Sequence, residues 1–143
     1  IADGRGLAAA LMLGAEGVQM GTAFLASDEC QIHENYKNLV LNAKDTDSAV
    51  TGRISGCAAC RQIRNKFTKR IMEKEREGLT QEEFEEACTG SLRKAVKDGD
   101  KDNGSFMAGQ IAGMIKEIRP CQEILDSIFS DAEKRIIEKS KQF

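Results

Sequence analysis

Apolar residues recur along the chain at spacings that separate helices from shorter extended stretches. Leu7 to Leu13 is an almost unbroken apolar run, read as a short helix, and Gly14 suits a left-handed stop after it. Gly4 and Gly6, just before, read as a permissive loop, and Gly17 to Met20 reads as a short strand ending at Gly21-Thr22. Ile32, Tyr36, Leu39, Val40 and Ala43 fall on one helical face, with Ser27 or Asp28 as its cap and Asp45 to Asp47 as its end. Ala49 to Thr51 predicts a short strand before a Gly52-Arg53 turn. A second helix is expected from about Gln62, with Ile63, Phe67 and Ile71 in step and Gly78 as its stop. Thr80 to Glu83 has the hydroxyl and carboxylate of a capping box, and the helix it opens should bury Phe84, Ala87, Cys88, Leu92 and Val96. After a polar loop from Asp98 to Asn103, Ser105 is expected to cap a fourth helix with the small residues Ala108, Gly109, Ala112 and Gly113 on one face. Pro120 fits the start of the last helix, whose stripe is Ile124, Leu125, Ile128, Phe129, Ala132 and Ile136. There is no internal repeat and no low-complexity tract.

Composition narrows the class. The 143 residues are enough for a domain with a real core. A formal charge of −2, with no basic run interleaved with aromatics, argues against a nucleic-acid surface. No apolar run approaches the ~20 residues that span a bilayer. Five scattered cysteines favour reduced thiols and a cytoplasmic protein over a disulfide framework.

Two segments carry candidate chemistry. In Ile1 to Thr22, small residues stand at two turns, Ala2-Asp3-Gly4 and Gly21-Thr22. Backbone N–H groups at such turns, with a threonine hydroxyl, are suited to phosphate oxygens; from the residues alone, a tight turn with a capping Thr is the commoner explanation of the second. Asp3 is a poor phosphate contact, because like charges repel, and a better helix cap. The second segment, Ser105 to Gly113, either brings a helix start up to a flat ligand or packs closely against another backbone.

Ile1 to Ala26 resembles the late-barrel segment of the FMN-dependent nitronate monooxygenase and enoyl-ACP reductase II family. Asp100 to Gly113 resembles that family's second signature, with Phe106 where relatives carry a smaller aliphatic residue. Thr51-Gly52-Arg53 and Arg64-Asn65-Lys66-Phe67 resemble the reductase branch. The resemblance implies an α/β fold: the C-terminal portion of a TIM (β/α)8 barrel followed by a mainly helical region. A whole barrel takes about 250 residues, so the chain is expected to be a fragment starting inside a motif. Residues 1–27 would be the last βα units and 28–143 the helical region packed on them. In the fragment alone, the exposed faces of the barrel segment, Leu7, Leu11, Val18 and Phe24 among them, would drive self-association or a non-barrel arrangement.

By the same resemblance, FMN is the cofactor and its expected contacts are Ala2, Gly4, Met20, Gly21, Thr22, Ser105, Met107, Ala108, Gly109 and Gln110. The parent would be an oxidoreductase. Either it reduces the enoyl thioester of acyl carrier protein with NAD(P)H in fatty acid synthesis, or it oxidises a small nitronate with oxygen. The fragment alone could be a non-catalytic helical module. No nucleic-acid or membrane partner is expected, and homo-oligomer formation stays open. The family's catalytic histidine lies in mid-barrel, so the single histidine, His33, reads as a surface or packing residue, and no catalytic residue is assigned to this chain. Cys57 and Cys60 form a C-x-x-C without the second pair a zinc site needs. Asp98, Asp100 and Asp102 alternate as in a calcium loop, but Asn103 and Gly109 stand where that loop needs Gly and Glu. No metal is expected.

Overall fold

In the computed structural model, which describes residues 1–142, helices surround a small antiparallel sheet. Helix α1 spans Gly4–Met12, α2 Thr22–Leu25 and α3 Glu34–Leu41. Strands β1 (Ser48–Thr51) and β2 (Cys60–Ile63) pair antiparallel, Ser48 opposite Ile63 and Thr51 opposite Cys60. Then come α4 (Lys66–Arg76), α5 (Gln81–Cys88) and the short α6 (Ser91–Arg93), which runs into a π-helical turn at Lys94–Asp98. A 3-10 turn at Gln110–Met114 and the long α7 (Cys121–Ser140) complete the order. The residue Phe143, the last of the expected helical region, lies outside the described residues.

Three apolar clusters hold these elements. Tyr36, Val40, Ile63, Ala95 and Phe106 form the central one, where the Tyr36 and Phe106 rings meet edge to face at 4.9 Å. Leu7 and Ala8 of α1 pack on Ile124, Ile128 and Ala132 of α7. Phe67, Ile71 and Phe84 join α4 to α5. Beside them Glu75, only 3% exposed, turns its Oε1 to the N–H groups of Gly52, Ile54 and Ser55 at 3.0, 3.2 and 3.2 Å, and so fixes the loop after β1.

Several expected elements form as read. The Thr80–Glu83 capping box is closed in both directions. Gly14, Gly52 and Gly78 sit at positive φ where the chain turns. Asp3 caps α1, its Oδ1 accepting the Gly6 N–H at 2.9 Å. Burial alone would raise the Asp3 carboxyl, but this bond and the neighbouring Arg5 hold it below the usual range.

Other expectations are corrected. Gly4 and Gly6 belong to the first turn of α1, not to a loop; at Gly4 a Cβ would lie 2.6 Å from the Ala132 backbone nitrogen, so glycine here marks close approach to α7. Gly17 to Met20 is irregular, because no described segment runs beside it to form a ladder. Helix α3 starts after His33, not Ser27: the His33 Nδ1 accepts the Asn35 N–H at 3.0 Å, while the Ser27 hydroxyl serves a separate turn by donating to the Phe24 carbonyl. Cys60 to Ile63 is strand rather than helix. The Asn65–Thr68 cap starts α4 after Asn65, and Ile63 reaches the core from the sheet. Helix α5 ends at Cys88; Gly90 at φ 75° breaks it, and Leu92 is exposed on the next segment. No α-helix starts at Ser105, because residues 106–108 bond to β2 in extended form. Phe129 is 60% exposed and drops out of the stripe of α7, where Ile124, Ile128 and Ala132 are buried and Ile136 packs on the same cluster. Leu7, expected to be exposed, is buried beneath α7.

Candidate functional site

Residues 106–108 lie along β2. The Ile63 N–H donates to the Phe106 carbonyl at 2.8 Å and the Ala108 N–H to the Arg61 carbonyl at 3.2 Å. A buried relay locks this register: the Ser105 hydroxyl donates to Gln62 Oε1, and Gln62 Nε2 donates to Thr51 Oγ1, both at 2.7 Å. From α3 the Tyr36 hydroxyl donates to the Met107 carbonyl at 2.6 Å, and burial pushes its phenol pKa upward. A buried phenol needs such a partner.

The extended segment ends at Gly109, whose N–H donates to Thr22 Oγ1 at 2.8 Å. That bond ties together the two stretches singled out in the sequence, 87 residues apart. Gly21, Thr22, Met107, Ala108 and Gly109 then line one open groove of ≈ 430 Å³, walled by Leu25 of α2, Ile32, Tyr36 of α3, Leu92 and Val96. Arg61 brings a positive charge to it, its guanidinium steadied by Ser48 Oγ at 2.9 Å.

The donor set at the Gly21 end suits an oxyanion. Among the described residues, the Gly21 and Thr22 N–H groups donate to no backbone carbonyl, as expected at the start of a helical turn. With its oxygen accepting from Gly109, the Thr22 hydroxyl keeps its own proton to donate. Gly21 has φ −113°, which any residue adopts, and a Cβ there would meet nothing within 4 Å. Neither backbone strain nor packing requires glycine here, and the missing side chain leaves the N–H groups open to approach.

The other expected contacts fall elsewhere. Ala2 lines a separate cavity with Ala23 and Met114. Gly4 faces α7, and Met20 packs against the α1–α7 cluster. Ser105 is buried and committed to Gln62. Gln110 is exposed at the start of its 3-10 turn, outside the groove lining. Pattern reading gave Tyr36 only a core role and Gln62 only a helix start. For Tyr36 the available signal was a phenol on a helical face due to be buried, whereas Gln62, placed off the apolar face of its expected helix, gave none. Arg61 carried no such signal.

The remaining candidates lie outside the groove lining. His33 is a helix cap. The Asn103 side-chain amide, together with the N–H groups of Asp102 and Asn103, donates to Asp100 and holds its carboxyl below the usual range. Cys57, Cys60 and Cys88 are free thiols, with Cys88 pushed up to about 11 by burial. No cluster suited to a metal ion occurs among the described residues, and none of their helices is long and apolar enough to cross a membrane.

A sequence model of the family described as nitronate monooxygenase matches residues 1–131. The chain belongs to the nitronate monooxygenase family. A probable nitronate monooxygenase from Staphylococcus aureus (strain JH9) is 37% identical over 131 residues, 91% of this chain and 36% of that protein. The structure of FabK from Thermotoga maritima is 43% identical at a TM-score of 0.93, over 100% of this chain and 45% of FabK. A nitroalkane oxidase from Streptomyces ansochromogenes, at 24% identity and TM-score 0.74, covers 94% of this chain and shares its fold. The chain thus spans about a third of the length of the curated relatives it matches. Both Gly21-Thr22 and Met107 to Gly109 lie inside the stretch that this family's model matches.

Proposed function

We propose that this chain is the C-terminal part of an FMN-dependent oxidoreductase built on a TIM barrel, and that it supplies one wall of the flavin site. The Thr22–Gly109 hydrogen bond carries the reading, because it brings both family-like segments to one groove with open phosphate donors. The Gly21 and Thr22 N–H groups and the Thr22 hydroxyl would hold the phosphate. Met107, Ala108 and Gly109, fixed by β2 and Tyr36, would place backbone against the rest of the cofactor. FMN supplies the electron chemistry, and the protein supplies binding and orientation.

Of the two reactions open to such an enzyme, we favour reduction of an enoyl thioester of acyl carrier protein with NAD(P)H. One observation supports it: Thr51-Gly52-Arg53 and Arg64 to Phe67 resemble the reductase branch, and FabK is among the solved structures the whole chain resembles. The second reading, oxidation of a small nitronate, is favoured by the name of the family and of its curated relatives. The longer protein should purify yellow. It should oxidise NADH or NADPH with a crotonyl thioester faster than it consumes oxygen with an alkyl nitronate. Dominant nitronate turnover would select the second reading, and a colourless protein that cannot be loaded with FMN would remove both.

A further inference from the structure

Leu92 and Val96 of the α6–π segment face the groove just described, whereas Ser91 and Lys94 of the same segment line a separate concavity of ≈ 240 Å³. Its floor is Phe67 and Ile71 of the third apolar cluster. Its rim carries Arg70 and Lys74 from α4, Lys94 from the π-helical turn and Asn103 from the following loop. Three cations therefore converge from two elements, and no carboxylate lines the space.

That arrangement is costly unless something offsets it. Arg70 and Lys74 stand four apart on α4, a spacing at which like charges destabilise a helix. Neither Lys74 nor Lys94 makes an ion pair among the described residues. Three of the nearby carboxylates are already engaged, whereas Glu86 shares the neighbouring surface with Lys74. Glu83, close to Lys74, accepts from the Thr80 N–H and hydroxyl at 2.9 Å. Asp100, close to Lys94, holds its own loop, and Asp102 is paired with Lys66 at 2.8 Å. Arg70 is already oriented, with Nη2 donating to Asn103 Oδ1 at 2.9 Å and to the Asp102 carbonyl at 3.2 Å, and its other N–H donors remain.

We propose that this concavity is an oxyanion site that takes a phosphate group borne by a small molecule. The space is smaller than the ~300–1,000 Å³ typical of drug-sized ligands, so the phosphate enters and the body of the ligand lies outside. The phosphate has two sources, a nucleotide ribose or a pantetheine-bearing thioester. The source, but not the site, rests on the function proposed above.

The test is a titration of the full chain with inorganic pyrophosphate at constant ionic strength, followed by amide NMR shifts. Saturable shifts centred on Arg70, Lys74 and Lys94 are expected. Lys74→Gln combined with Lys94→Gln should weaken binding about tenfold or more, as expected for losing two charge-assisted bonds. Lys69→Gln combined with Arg76→Gln, which line a different surface of α4, should leave it unchanged. All four residues are exposed, and unchanged melting temperatures confirm that both double variants fold. Non-saturating shifts, shifts scattered over the surface, or equal loss in the two double variants would overturn the site. Competition then identifies the source. Displacement by NADP+ but not NAD+ assigns a ribose phosphate, displacement by 4′-phosphopantetheine but not pantetheine assigns the pantetheine side, and displacement by neither overturns the assignment to a phosphate borne by a small molecule.

Discussion

Gly4, Gly6 and Gly21 lie within one short segment, and a side chain at each would meet different surroundings. At Gly4 it would strike Asp131 and the Ala132 backbone, so Gly4→Ala should destabilise the chain by roughly 1–3 kcal/mol, as overpacking does. At Gly6 the nearest atom is Ile1 Cγ2 at 3.2 Å, the tip of a flexible side chain. Gly6→Ala should therefore raise the melting temperature slightly, because alanine favours the helix by about 1 kcal/mol over glycine. Thermal melts of the two variants should move in opposite directions. At Gly21 the space is open, so Gly21→Val should leave the melting temperature alone. In the longer protein the same change should weaken FMN binding far more than Asp100→Ala, since only the valine shields the phosphate donors. Equal effects on flavin affinity would show that Gly21 is not part of the cradle.

Elements form where local signals and partners agree. The capping box of α5 and the Pro120 start of α7 needed only neighbours in sequence, and both were legible. Strand β2 was not, because Ile63, Phe67 and Ile71 sit at helical spacing although Ile63 reaches the core from a sheet. What decides there is the pairing with β1 and with residues 106–108, and no single segment reveals it. The same holds at the groove. Gly21-Thr22 and Met107 to Gly109 were legible as candidates, but their meeting through Thr22 was not, nor was the relay through Ser105, Gln62 and Thr51. Glu75 offers a test at this scale. Glu75→Leu leaves the Gly52, Ile54 and Ser55 N–H groups without their shared acceptor, and should cost roughly 1–3 kcal/mol or more. Glu75→Gln keeps an oxygen in place and should cost less. Trypsin cleavage after Arg53 should accelerate in the leucine variant and change little in the glutamine variant. Equal cleavage rates in both would mean that the carboxylate does not hold the loop.

Across the molecule, α7 covers α1, and this changes what the isolated chain is expected to do. Leu7 is buried, and Leu11, Val18 and Phe24 are half-buried against the same cluster, so these residues no longer supply a strong drive to self-associate. The fold is therefore expected to hold in the 143-residue chain, and flavin binding can be tested on it directly. A tight small-molecule site encloses roughly 70–90% of its ligand. Here the groove is open, and among the described residues it offers a phosphate end and one apolar wall, with no opposing surface for a flat ring. The phosphate donors alone give charge-assisted hydrogen bonds in contact with water, which are weakened by salt. Titration of the chain with FMN, followed by flavin fluorescence, should therefore show binding weaker than micromolar that declines further as salt is raised. Saturation below micromolar, with the ring fluorescence quenched, would mean that this chain alone encloses the flavin and that the remaining walls of the site are not needed for binding.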